Sequence, residues 1–82
     1  MEEKIFELIE SEIKSLDLIL SNVLIVLEDN IKFLRVVIDS KTYVTVNDCV
    51  KVTKLINPII DESNLIKNSY ILDVCSKERD DK

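Results

Sequence analysis

Val44-Thr45-Val46-Asn47-Asp48-Cys49 is the stretch on which the fold turns. A threonine followed three residues later by an acid, just ahead of an apolar repeat, has the pattern of a capping box. The hydroxyl accepts from the backbone N–H of residue 48, and the carboxylate reaches back to that of residue 45. The acid also lies at the positive end of the helix dipole. The chain is therefore expected to stop being extended here and to start a helix at once. Downstream, Cys49, Val52, Ile56 and Ile59 or Ile60 recur at helical spacing as an inward stripe, with Lys51 and Lys54 outside it. Pro58 lacks a backbone N–H, clashes with the carbonyl four residues back and restricts Asn57, so a kink or an end is expected near it.

Working back from the junction, Ser40-Lys41-Thr42-Tyr43 is a loop, and Ile31 to Asp39 before it alternates as a strand does. Leu34, Val36 and Ile38 share one face, assigned to the core, while Phe33, Arg35, Val37 and Asp39 share a half-wet face. Glu28-Asp29-Asn30 is a turn in which Asp29 or Asn30 takes the left-handed conformation that glycine would usually fill. Leu18 to Leu27, aliphatic and β-branched except at Ser21-Asn22, is the first strand of a hairpin. Ahead of it, Ile5, Ile9, Ile13 and Leu16 mark an amphipathic helix from Glu2 to Leu16. Its acids, Glu2 and Glu3 among them, read as a solvated face favoured by the dipole.

Forward from the second helix, Asp61-Glu62-Ser63-Asn64 is a polar connection. Ser69 to Ser76 returns to strand alternation with Tyr70, Leu72 and Val74 on one face. Lys77-Glu78-Arg79-Asp80-Asp81-Lys82 is a charged tail expected to fray. The order is α-β-β-α-β: a two-layer α+β domain over residues 1–76, a three-stranded sheet covered on one face by two helices.

Eighty-two residues form one domain, since a chain of this size buries only about 60–65 % of its surface and cannot support two cores. With 46 % hydrophobic residues and no glycine it lacks the composition of a disordered chain. Its start is acidic and no apolar run approaches the roughly 18 residues of a membrane span, which predicts a cytoplasmic protein that does not engage membranes. The net charge of -5 and a pI near 4.6 oppose direct binding to a phosphate backbone and favour a basic protein partner.

Catalytic chemistry is hard to place. Histidine is absent, which removes the commonest general base and transition-metal ligand. Cys49 on an inward helical face and Cys75 near the tail have no activating partner and are expected to be buried thiols. There is no CxxC pair for zinc, and a chain without glycine holds neither phosphate-loop nor dinucleotide fingerprints. The expectation is binding without catalysis and without a cofactor or metal.

Leu34-Arg35-Val36-Val37-Ile38-Asp39 resembles the second strand of the N-terminal domain of RimP, the bacterial ribosome maturation factor. Val44-Thr45-Val46-Asn47-Asp48-Cys49 is similar to that family's Val-Thr-Leu-Asp-Asp-Cys. Val52, Ile60-Asp61, Ile66, Ser69-Tyr70 and Leu72-Asp73-Val74-Cys75-Ser76 follow in the family's order. Two departures stand out: the family's glycine before the tyrosine is replaced by Asn68 or Ser69, and the charged tail stands where the family leads into a C-terminal SH3-like barrel, so the expectation is either a fragment or a shortened relative without that barrel. The resemblance implies a factor that binds the maturing small (30S) ribosomal subunit, through a basic ribosomal protein, and assists assembly. The partner-binding residues it suggests are Arg35, Asp39, Asn47, Asp48 and Asp73. Asp48 has a rival role as a helix cap, and Arg35 and Asp39 as an exposed cross-strand face. The competing expectation is a weakly self-associating interaction module that pairs through the strand Val23 to Leu27.

Overall fold

The computed structural model describes residues 1–66 and 69–77. The elements run α1 (Glu2–Lys14), β1 (Ile19–Glu28), β2 (Ile31–Asp39), α2 (Val46–Ser63) and β3 (Ile71–Ser76). The sheet order is β1-β2-β3, with β1 and β2 antiparallel and β2 and β3 parallel. The α+β order expected from the sequence is the one observed. The fraying of the tail beyond Lys77 and a turn at Asn68 lie outside the described residues.

One continuous core fills the space between sheet and helices. Ile5, Ile9 and Ile13 of α1 meet Val52, Ile56 and Ile60 of α2 over Leu34, Val36 and Ile38 of β2, all essentially inaccessible to water. Both helices therefore lie on one face, as the periodicities predict, and the face carrying Arg35 is left without a helix. Ile60 rather than Ile59 completes the buried stripe, while Cys49 and Ile59 are only partly buried against it. No helix among the described residues is long and apolar enough to cross a membrane.

A chain without glycine still needs left-handed backbone, and it uses short polar side chains there. The positive-φ residues among those described are Asp17, Asp29, Asn30 and Asn64, types that tolerate this region through local hydrogen bonding. Asp29 and Asn30 are both left-handed (φ 49° and 66°), as the two-residue type I′ hairpin between Glu28 and Ile31 requires. Asp17 follows the end of α1, where the N–H of Leu18 returns to the carbonyl of Ile13. Asn64 closes α2 in the same conformation.

Three sequence expectations need correction. Pro58 neither ends α2 nor sits close to its end: the helix continues to Ser63 and takes in Asp61, Glu62 and Ser63, expected to be connection. Pro58 and Lys54 are both on the solvent side, so the carbonyl that loses its partner is left to water. Ser21 is the extra residue of a β-bulge between Leu20 and Asn22. The bulge shifts the alternation by one and lets Leu20 and Val23 both face the core. The last strand begins at Ile71, the first residue paired with β2, rather than at Ser69; Tyr70 just ahead of it donates its hydroxyl to Asp61 of α2, 2.9 Å away.

Candidate partner-binding site

The segment from Asp39 to Asp48 is held by side chains bonded to nearby backbone. Asp39 Oδ1 accepts the N–H of Ser40, and the buried Ser40 accepts the N–H of Thr42 at Oγ. At the start of α2, Thr45 Oγ1 accepts from the N–H of Asp48 (3.1 Å) and Asp48 Oδ2 accepts from the N–H of Thr45 (3.0 Å). Both halves of the predicted capping box are present. The Thr45 N–H bond holds the Asp48 carboxyl below the ordinary aspartate range; burial, next in size, opposes it, and the Thr45 side chain and then the Lys51 charge add to the lowering. Burial, and then the charge of Asp48, push the Cys49 thiol up, away from the thiolate a nucleophile needs. No disulfide joins Cys49 and Cys75, and both are half-buried rather than buried.

Around this rigid start lies an apolar surface that the sequence reading missed. Tyr43 is 74 % exposed, Val46 82 % and Val50 44 %. Val46 and Val50 are one helical turn apart and Tyr43 belongs to the loop that leads into them. The periodicity carried the signal: Val50 falls off the line through Cys49, Val52, Ile56 and Ile60. Asn47, a predicted site residue, is exposed in the same first turn.

The other two candidates are each other's partners. Arg35 and Asp73 are directly opposite in the β2–β3 register, with Arg35 Nε donating to Asp73 Oδ2 at 3.3 Å on the face without helices. Their side chains are 38 % and 44 % exposed, so the pair contributes at most about 1 kcal/mol. The five predicted residues thus do not form one site. Asn47 and Asp48 lie in the first turn of α2 on the helix side, Arg35 and Asp73 lie on the opposite face of the sheet, and Asp39 ends β2 in the same alternation as Arg35. Among the described residues no cluster of three or more His, Cys, Asp or Glu is placed to hold a metal ion.

Residues 8–77 match the family model of the RimP N-terminal domain. The chain belongs to that family. The matched span takes in the capping box, the apolar surface beside it and the Arg35–Asp73 pair, and ribosome maturation is in general the setting of such a RimP domain. Glu2 lies ahead of that span and is exposed as the sequence predicts, with one bond the sequence did not show: Glu2 Oε2 accepts the N–H of Ile25 at 2.8 Å. Within a type I′ hairpin closed by Glu28 and Ile31, the N–H groups of Val23 and Ile25 point away from β2. Asn22 Oδ1 occupies the first and Glu2 the second. The outer edge of β1, on which self-association was expected to depend, is therefore largely occupied by the chain's own side chains.

Proposed function

We propose that this RimP domain docks on the maturing small ribosomal subunit, by contact with a basic ribosomal protein, and assists assembly as a binding factor rather than an enzyme. The family match over residues 8–77 is the observation that carries the reading. The start of α2 supplies a suitable contact: Tyr43, Val46 and Val50 give apolar area at low entropic cost, and Asn47 and Asp48 give polar and negative groups at its rim. The net charge of -5 raises the rate of encounter with a basic surface and orients it. Binding of this kind acts by favouring one assembly conformer over others, to the extent of its differential affinity. The raised Cys49 thiol supports the non-enzymatic part of the reading. The setting of such a factor is cytoplasmic.

Cosedimentation tests it. The domain is expected to pellet with immature small subunits, to dissociate as salt is raised, and to lose retention when Tyr43 and Val50 are both replaced by serine. A domain that binds neither the subunits nor isolated small-subunit proteins at low salt would sink the proposal. Self-association is the weaker reading, because the β1 edge it needs is occupied at Val23 and Ile25.

A further inference from the structure

The two edges of the sheet are treated differently. The Lys77 N–H donates to the Ile38 carbonyl at 2.8 Å, so by strand alternation the backbone groups of Asp73 and Cys75 also face β2. Those of Leu72, Val74 and Ser76 then face outward, and among the described residues nothing hydrogen-bonds to them. On β1 the corresponding donors of Val23 and Ile25 are covered by Asn22 and Glu2. An uncovered edge in a protein that covers its other edge is a place where a strand can be added.

Beside that edge runs an open groove of about 600 Å³. Thr53, Asn57 and Asp61, successive residues on one face of α2, form its polar wall, and Tyr70 and Leu72 form the wall against the sheet. A strand laid along Leu72 to Ser76 would direct alternate side chains into the groove, over Asn57 and Asp61, and the others onto the face without helices. Among the described residues that line the groove the charge is negative. Asp61 carries it, holding the Tyr70 hydroxyl at 2.9 Å, while Lys51 and Lys54 of the same helix are outside the lining.

We infer that β3 takes up an extended basic peptide segment as a fourth strand, with a lysine or arginine side chain placed against Asp61. The backbone groups of Leu72, Val74 and Ser76 would give affinity, and Asp61 would give preference for a cation. A second copy of the chain fits less well, since two molecules at -5 repel each other. This inference uses hydrogen-bond direction and groove charge, and it stands apart from the α2 surface proposed for subunit docking.

The test is amide NMR of the full chain titrated with a short capped peptide alternating lysine and valine, with a glutamate–valine peptide and an N-methylated lysine–valine peptide as comparisons. The lysine–valine peptide is expected to shift the amides of Leu72, Val74 and Ser76 and slow their solvent exchange, leaving Val23 and Ile25 unchanged. N-methylation at the bonding positions should weaken it by about tenfold or more, as lost strand hydrogen bonds do. Asp61→Asn, which keeps an acceptor for Tyr70, should remove the preference for lysine over glutamate while the rest of the spectrum stays in place. The inference is overturned if millimolar peptide leaves Leu72 to Ser76 unshifted, if the N-methylated peptide binds equally, or if the shifts fall on Tyr43, Val46 and Val50. Protection of the same amides with protein concentration alone would also overturn it, in favour of pairing between copies. Loss of subunit binding in Tyr43 and Val50 variants with peptide binding retained would separate this surface from the docking surface.

Discussion

Thr45→Ala removes one half of the capping box and leaves the remaining helix bonds in place. The Cys49 N–H bond to the Thr45 carbonyl (3.3 Å) uses backbone only and survives the change. The bond lost is that from the Asp48 N–H to Thr45 Oγ1 at 3.1 Å, at an exposed position where water can replace the hydroxyl. The cost should thus be that of an ordinary N-cap, about 1 kcal/mol, rather than that of a buried donor left without a partner. For a domain of this size about 1 kcal/mol lowers Tm by roughly 4–8 °C. Thr45→Ser keeps the acceptor and should recover most of the loss. Thermal unfolding followed by far-ultraviolet circular dichroism measures both. The pH dependence gives a second check with a definite sign. The Asp48 carboxyl is lowered in the folded state, so its stabilisation is fully present above the ordinary aspartate pKa of about 3.9 and disappears as pH falls through the lower folded value. The capping-box account is refuted if Thr45→Ala and Thr45→Ser melt together with the parent, or if the loss on Asp48→Ala stays constant from neutral pH into acid.

Ile56 is wholly buried where both helices meet the sheet, so Ile56→Ala should cost about 2–5 kcal/mol in urea unfolding. That is a large part of the roughly 4–12 kcal/mol available to a chain this long. The Tyr70 hydroxyl is pushed up to about 12, by burial and then by its bond to and the charge of Asp61. Its stabilisation is full below the unfolded value of about 10 and is lost as pH rises towards 12, a loss that alkaline melts of Tyr70→Phe should not show. Replacing Glu2 and Asn22 together by alanine uncovers the outward N–H groups of Ile25 and Val23. Sedimentation velocity should then show stronger concentration-dependent association than the parent, and equal behaviour would mean that these side chains do not protect the edge.

What could be read in the sequence was local or periodic. Thr45 and Asp48 are three residues apart and decide their own geometry, and the alternation of Leu34, Val36 and Ile38 fixes which side of β2 faces the helices. Asp29 and Asn30 marked a turn because a chain without glycine has few other residues for positive φ. The misses came from context. Whether Pro58 ends a helix depends on whether its lost partner is buried, and the spacing around it does not say that the carbonyl of Lys54 meets water. The pairing of Arg35 with Asp73 and of Glu2 with Ile25 depends on strand order and on where α1 lies, 38 and 23 residues apart in sequence. As a result, two of the proposed contact residues proved to satisfy each other, and an exposed acid proved also to cover a strand N–H. The exposed Tyr43 and Val46 were hidden for another reason: a loop residue and a junction residue belong to no periodic pattern that would assign them a face.

The edge asymmetry bears on how such a domain would release its partner. A peptide strand added along Leu72 to Ser76 meets only a few outward backbone groups, and the groove beside it is open along its length. A contact so limited falls in the class of interfaces below about 1,200 Å², whose complexes are weak and short-lived. Attraction between Asp61 in a chain of net charge -5 and a basic segment would then act mainly on the rate of encounter. Fast capture with fast release suits a site that stands apart from the surface proposed for subunit docking, because it adds a contact without adding a lasting hold. The same reasoning fits the covering of the Val23 and Ile25 donors on β1: a second open edge would add copies of the domain to one another, and the long apolar run from Val23 to Leu27 would make that association hard to reverse.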